Sequence, residues 1–199
     1  MKSLIFLIII FGLCACSIRP LGYFFVDPYA KPIGKKVTET FYIVLGEDVK
    51  NDFIVSGEGF KKMDISNFRH SVRQSLYNTF NENFENVIFA DYPPDKGLAL
   101  VIYRIRPYWK FCGASDNTTY ADGVPYTVNT SYLSAAFQYE SSLFLNNEKI
   151  RNGDNQVFSE GCTSRINQVH SVFKNGLQVF SESINREIFP DEVLELIPN

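Results

Sequence analysis

Residues 98–111, LALVIYRIRPYWKF, carry the strongest strand signal in the chain. The odd positions Ala99, Val101, Tyr103, Ile105, Trp109 and Phe111 are almost wholly apolar. The even positions begin apolar with Leu98, Leu100 and Ile102, then turn polar with Arg104, Arg106, Tyr108 and Lys110. Side chains alternate across a strand, so the odd residues are expected in the core and the even ones on a largely wet face. Residues 131–145 repeat the pattern, with Leu133, Ala135, Phe137, Tyr139, Leu143 and Leu145 opposite Ser134, Gln138, Glu140 and Ser142. Two such strands predict an antiparallel sheet covered on one side.

The cover is readable on both flanks. Upstream, Phe68, Val72, Leu76, Phe80 and Phe84 recur every fourth residue, with Ile65 and Tyr77 widening the stripe. This predicts an amphipathic helix capped by Asp64 or Ser66. Downstream, Val169, Val172, Phe173, Leu177, Phe180, Ile184 and Ile188 mark a second helix, and Gly176 on its face permits a close approach. His70 and His170 fall off these stripes and are expected to face solvent.

Residues 37–45 (VTETFYIVL) read as the first core strand, and 53–55, 87–90 and 156–163 as further strands. Residues 56–59, 92–97, 146–147 and 151–155 (RNGDN) read as turns. The expected fold is α+β: a two-layer sandwich, mainly antiparallel, with both helices on one face of the sheet.

The chain has 199 residues, a net charge of −3, 18 Phe and 11 Tyr. Its size and aromatic content suit one packed domain, and the charge leaves no electrostatic footprint for nucleic acid. The N-terminus, MKSLIFLIIIFGLCACSIRP, has one early cation and then an apolar run too short to span a bilayer. These features predict a secretory signal over residues 1–15.

Leu13-Cys14-Ala15-Cys16 resembles the lipobox of bacterial lipoproteins. The resemblance implies that Cys16 takes the lipid while Cys14 leaves with the signal. Ser17 in place of Asp implies an outer-membrane location, with the domain facing the periplasm. Residues 16–34 would be the lipidated connector, in which 23–26 (YFFV) is expected to dock as an edge strand. Residues 35–199 would form the single domain, ending in a short helix after Pro190. The order of elements from Val37 to Phe189 resembles YajG-type lipoproteins and, more loosely, the TolB N-terminal domain and LptE. No motif inside that span allows family site residues to be carried over.

Two cysteines remain, Cys112 and Cys162. In an exported chain an even pair favours a disulfide over free thiols or a metal site. Across a meander the two would stand two strand spacings apart, so one must lie just outside the pairing. No metal site or cofactor is expected, because the histidines lack a ligand spacing and Asn152, Asp154 and Asn155 lack the rest of a calcium loop. No nucleophile–base constellation points to an enzyme.

The expected interaction surface combines two parts. One is a long connector over residues 113–130 bearing Tyr120 and Tyr126, and the other is the strip Arg104, Arg106, Tyr108 and Lys110. The competing reading of the strip is a wet face paired with Glu140. The function expected is a non-enzymatic, outer-membrane-anchored lipoprotein that binds or braces an envelope protein. A lipid or lipopolysaccharide carrier, and less so an envelope hydrolase, are the alternatives.

Overall fold

The computed structural model describes residues 36–57, 60–165 and 168–188. The expected signal, Cys16, the stretch 23–26, residues 58–59 of the turn expected over 56–59 and the helix expected after Pro190 lie outside the described residues. The elements are β1 (Val37–Asp48), β2 (Phe53–Gly57), β3 (Phe60–Ile65), α1 (Phe68–Asn81), β4 (Phe84–Ala90), β5 (Leu98–Ala121), β6 (Val124–Leu145), β7 (Glu148–Phe158) and α2 (Val169–Ile188).

One sheet has the order β4-β1-β5-β6-β7, and β2 and β3 form a separate two-stranded sheet. The fold is α+β as expected, but the main sheet is mixed. β1 runs parallel to both β4 and β5, whereas β6 is antiparallel to β5 and β7. The expectation of a mainly antiparallel sheet is corrected by these two parallel ladders, the first made by a crossover through α1. The β2–β3 hairpin and a long extension of β5–β6 also depart from two plain layers.

Both helices share one core with the sheet. Phe68, Val72, Leu76 and Phe80 of α1 and Phe173, Leu177, Phe180 and Ile184 of α2 are buried with Phe41, Ile43, Leu100 and Phe137. Each such side chain contributes about 1.5–3 kcal/mol through burial. The Phe68 and Phe137 rings stack at 6.0 Å, and Phe173 meets Phe137 edge-on at 5.9 Å. Gly176 does permit the expected close approach, since a Cβ there would collide with the Phe137 ring.

The faces of β5 need a correction. Its register against β6 shifts between Ile102 and Arg104, which makes Tyr103 an extra residue. Such a bulge reverses the alternation. The core residues are therefore Leu98, Leu100 and Ile102 before the bulge and Ile105 and Trp109 after it. The sequence pattern had assigned Ala99 and Val101 to that face. β1 carries a matching irregularity between Leu45 and Asp48. There a Cβ on Gly46 would meet the Tyr103 carbonyl oxygen at 2.7 Å, so only glycine fits.

Arg69 of α1 serves the carbonyls that this irregularity leaves unladdered. Its guanidinium donates to the oxygens of Leu45 (2.7 Å), Gly46 (2.7 Å) and Val49 (2.8 Å). The helix start also differs from expectation. Ile65 belongs to β3 and Phe84 to β4, and the Phe68 N–H donates to the Asn51 carbonyl instead of to a side-chain cap. Asn67 holds the N-cap position with φ 58°. Residues 151–155 form no turn but lie within β7, which starts earlier than expected, directly after the Asn146-Asn147 turn.

Candidate functional site

Residues 113–130 are not a loop. β5 and β6 stay paired from Gly113–Tyr132 out to Ala121–Val124. β7 stops at the pair Phe158–Ala136, and one bridge, Leu133–Thr163, lies beyond it. Past that bridge β5 and β6 form an arm of about 25–30 Å at ~3.4 Å per residue. Its tip is the two-residue turn Asp122-Gly123, with φ 50° and 76°. Two successive positive φ values match the right-handed twist of a hairpin.

The arm is well exposed. Tyr120 is 70% accessible, Val124 64% and Tyr126 48%. The pairing sorts these side chains onto two faces. Tyr126 and Val128 stand opposite Thr119 and Asn117, and Tyr120 stands opposite Pro125. Tracing the alternation back along β6 sets Val124, Tyr126 and Val128 on the side away from the helices, with Tyr132 and Ser134. Tyr120 is on the other side. The expectation of one surface containing both tyrosines is corrected: the arm presents an aromatic group on each face.

A two-stranded ribbon is marginal by itself in water. Here the root is fastened by the disulfide Cys112–Cys162, with the Cα atoms 6.4 Å apart. Cys112 is the extra residue of a second β5 bulge, between Phe111 and Gly113, so it does stand outside the pairing. Cys162 follows β7, beside Thr163, whose N–H donates to the Leu133 carbonyl at 2.8 Å.

The basic strip lies on the outer face of the sheet, beyond the first bulge. Arg104 pairs with Glu140 across the β5–β6 ladder at 3.1 Å. That contact is the competing reading of this residue, and an exposed pair of this kind contributes only about 0–1 kcal/mol. Lys110 sets its ammonium 3.6 Å from the centroid of the Phe158 ring. Arg106 is exposed opposite Gln138. The Tyr108 hydroxyl is buried without a hydrogen-bond partner among the described residues, and burial raises its pKa. Two of the three cations are thus engaged with this chain's own groups.

Two features escaped the sequence reading. The buried Tyr139 hydroxyl contacts Ser183 Oγ (3.1 Å) and donates to Glu187 Oε2 (2.9 Å), while Asn155 donates to Glu187 Oε1. Burial is the main cause of an upward shift of the Tyr139 pKa. The cluster ties α2 to β6 and β7. The second feature is a groove of about 620 Å³ along α1 and β4, lined by His70, Arg73, Gln74, Tyr77, Val87, Ile88 and Phe89. Arg73 packs into it over the Phe89 ring at 4.3 Å. His70 and His170 are exposed on different helices. Among the described residues no group of three or more His, Cys, Asp or Glu is placed to hold a metal.

No protein-family model matches the chain, and neither does any curated protein. Solved structures that it resembles include a minor lipoprotein from Acinetobacter baumannii, at 10% identity and TM-score 0.41, covering 77% of this chain and 92% of that one. A Xanthomonas campestris protein of family DUF330 is similar at 10% identity and TM-score 0.46, covering 87% and 98%. A putative neuraminyllactose-binding hemagglutinin homolog from Helicobacter pylori is similar at 11% identity and TM-score 0.49, covering 85% and 96%.

Proposed function

We propose that the chain is a non-enzymatic lipoprotein of the bacterial envelope, anchored through Cys16 to the outer membrane and facing the periplasm. There it binds or braces a protein of an assembly or transport complex. The Leu13-Cys14-Ala15-Cys16 motif supports the anchor. The observation that carries the binding role is the arm. A long, disulfide-fastened ribbon with tyrosine and valine exposed on its faces buries little within its own domain. Tyrosine gives a large contact area for the loss of only two torsions.

The carrier reading requires an open apolar space between helices and sheet. Phe41, Phe68, Phe80, Phe137, Phe173 and Phe180, all essentially inaccessible, fill that space. The groove along α1 and β4 is an external one, with His70, Arg73 and Gln74 among its walls.

The test is a photo-crosslinking scan in cells, with the reactive residue placed at Tyr120, at Tyr126 or at Tyr77 on α1. The arm positions are expected to give a discrete adduct with a second protein, and position 77 none. Adducts from position 77 alone would overturn the assignment of the arm.

A further inference from the structure

We infer that the open edge of the arm is a self-pairing strand that joins two copies of this chain. The inference goes beyond the proposed function, because it concerns the backbone edge of β6 and not the side-chain faces of the arm.

The phase of the edge follows from hydrogen bonds at its root. The Leu133 N–H donates to the Thr163 carbonyl at 2.9 Å, and the Leu133 carbonyl accepts from Thr163. The Ala135 carbonyl accepts from the Ser159 N–H at 2.8 Å. Odd-numbered residues of β6 therefore turn their backbone groups away from β5. From Tyr132 to Val124 the pairing has no irregularity, so the alternation continues. Thr127, Asn129 and Ser131 thus point N–H and C=O outward, along an edge that no strand among the described residues covers.

This open window has two definite ends. Leu133 is already engaged by Thr163, and Pro125 has no N–H to offer. Between them, residues 126–132 read YTVNTSY, with no charge, no proline and no glycine. Natural proteins usually protect such an edge with lysine, proline or a bulge. None of these protects the window.

The window matches itself about Asn129. In an antiparallel pairing with a second copy, Asn129 meets Asn129, Thr127 meets Ser131, Val128 meets Thr130 and Tyr126 meets Tyr132. The three residues with outward backbone groups meet as hydrogen-bonded pairs, giving about six backbone hydrogen bonds. The aromatic and hydroxyl pairs are of the favourable cross-strand kind. The product is a four-stranded ribbon, which passes the three-strand threshold that a lone hairpin misses.

The test is sedimentation of the full chain in detergent, corrected for bound detergent, without any other protein present. One variant carries Thr127→Lys with Ser131→Lys, and another Thr127→Glu with Ser131→Glu. Their β5 neighbours, Thr118 and Ala114, are uncharged. Each variant alone brings like charges opposite one another twice, and the mixture brings opposite charges together. The parent is expected to sediment as two chains, each variant alone as one, and the equimolar mixture as two again. A single-chain parent, or variants that remain two-chain particles, would overturn self-pairing at this edge. A mixture that stays single-chain would overturn the register about Asn129.

Discussion

Gly176 of α2 lies directly over the ring of Phe137 in β6, so close that a Cβ there would overlap the ring carbon Cε2. Ala135 bounds the same spot. Alanine gains about 1 kcal/mol over glycine in a helix, but overpacking costs about 1–3 kcal/mol. Gly176→Ala is expected to destabilise by about 1 kcal/mol, read as a lower midpoint in urea. A higher midpoint would mean that α2 is free to lift from the sheet.

The disulfide closes a separation of 50 residues. In the chain-entropy model a loop of that size stabilises by about 4 kcal/mol. Cys112→Ser with Cys162→Ser is expected to lose about 2–4 kcal/mol, and to make residues 113–130 the first site cut by a protease. Free thiols in denatured, unreduced protein would show that the bond does not form.

Arg69 holds three carbonyls at the paired irregularities of β1 and β5. A hydrogen bond to a charged group contributes about 1.5–3 kcal/mol. These three share one guanidinium and are only partly buried, and the Gly46 carbonyl keeps a bond from the Val49 N–H, so their contributions do not sum. Arg69→Met should therefore cost about 2–4 kcal/mol, with amide exchange accelerating first around residues 46–49. Exchange that quickens uniformly would contradict this local role.

Tyr139 is held neutral by burial, with a folded pKa above its ordinary value of 10.0. A group whose folded pKa is raised contributes stability that is complete below the unfolded pKa and lost as pH climbs toward the folded one. Stability is thus expected to fall above about pH 10, where the unfolded chain begins to release the proton. Tyr139→Phe should flatten that alkaline decline, at a cost of about 1 kcal/mol at neutral pH from the lost hydrogen bond. An equally steep decline in the variant would assign it to other groups.

The two helices were readable because a stripe at every fourth residue, as in Val72-Leu76-Phe80, has one plausible reading, whereas the strand at 60–65, the extension of β5 and β6 through 113–130 and the β7 residues 151–155 were not read as strands. The turn 122–123 was also present in the sequence. Asp-Gly between runs rich in threonine, tyrosine and valine is a strong hairpin signal. It was hidden by Asn, Ser and Gly around it, whose composition suits loops equally well. The reversal at Tyr103 is masked because apolar residues occupy both phases from Leu98 to Tyr103, and its one local trace is the turn of the even positions from apolar to polar at Arg104. Parallel pairing of β1 with β4 and β5 depends on a crossover, which periodicity does not record. The contact between Tyr139 and Glu187 joins residues 48 apart and exists only once α2 docks.

That the arm is the partner-binding element is tested most directly by quantitative capture after mild crosslinking in cells, comparing the parent with Tyr120→Ser, Tyr126→Ser and their combination. Both side chains are exposed, so unfolding midpoints should stay within about 0.5 kcal/mol of the parent. The combined variant is expected to reduce capture by about tenfold or more, the effect of losing an aromatic hot spot. Capture at the parent's level, with all variants folded, would contradict a binding role for the arm.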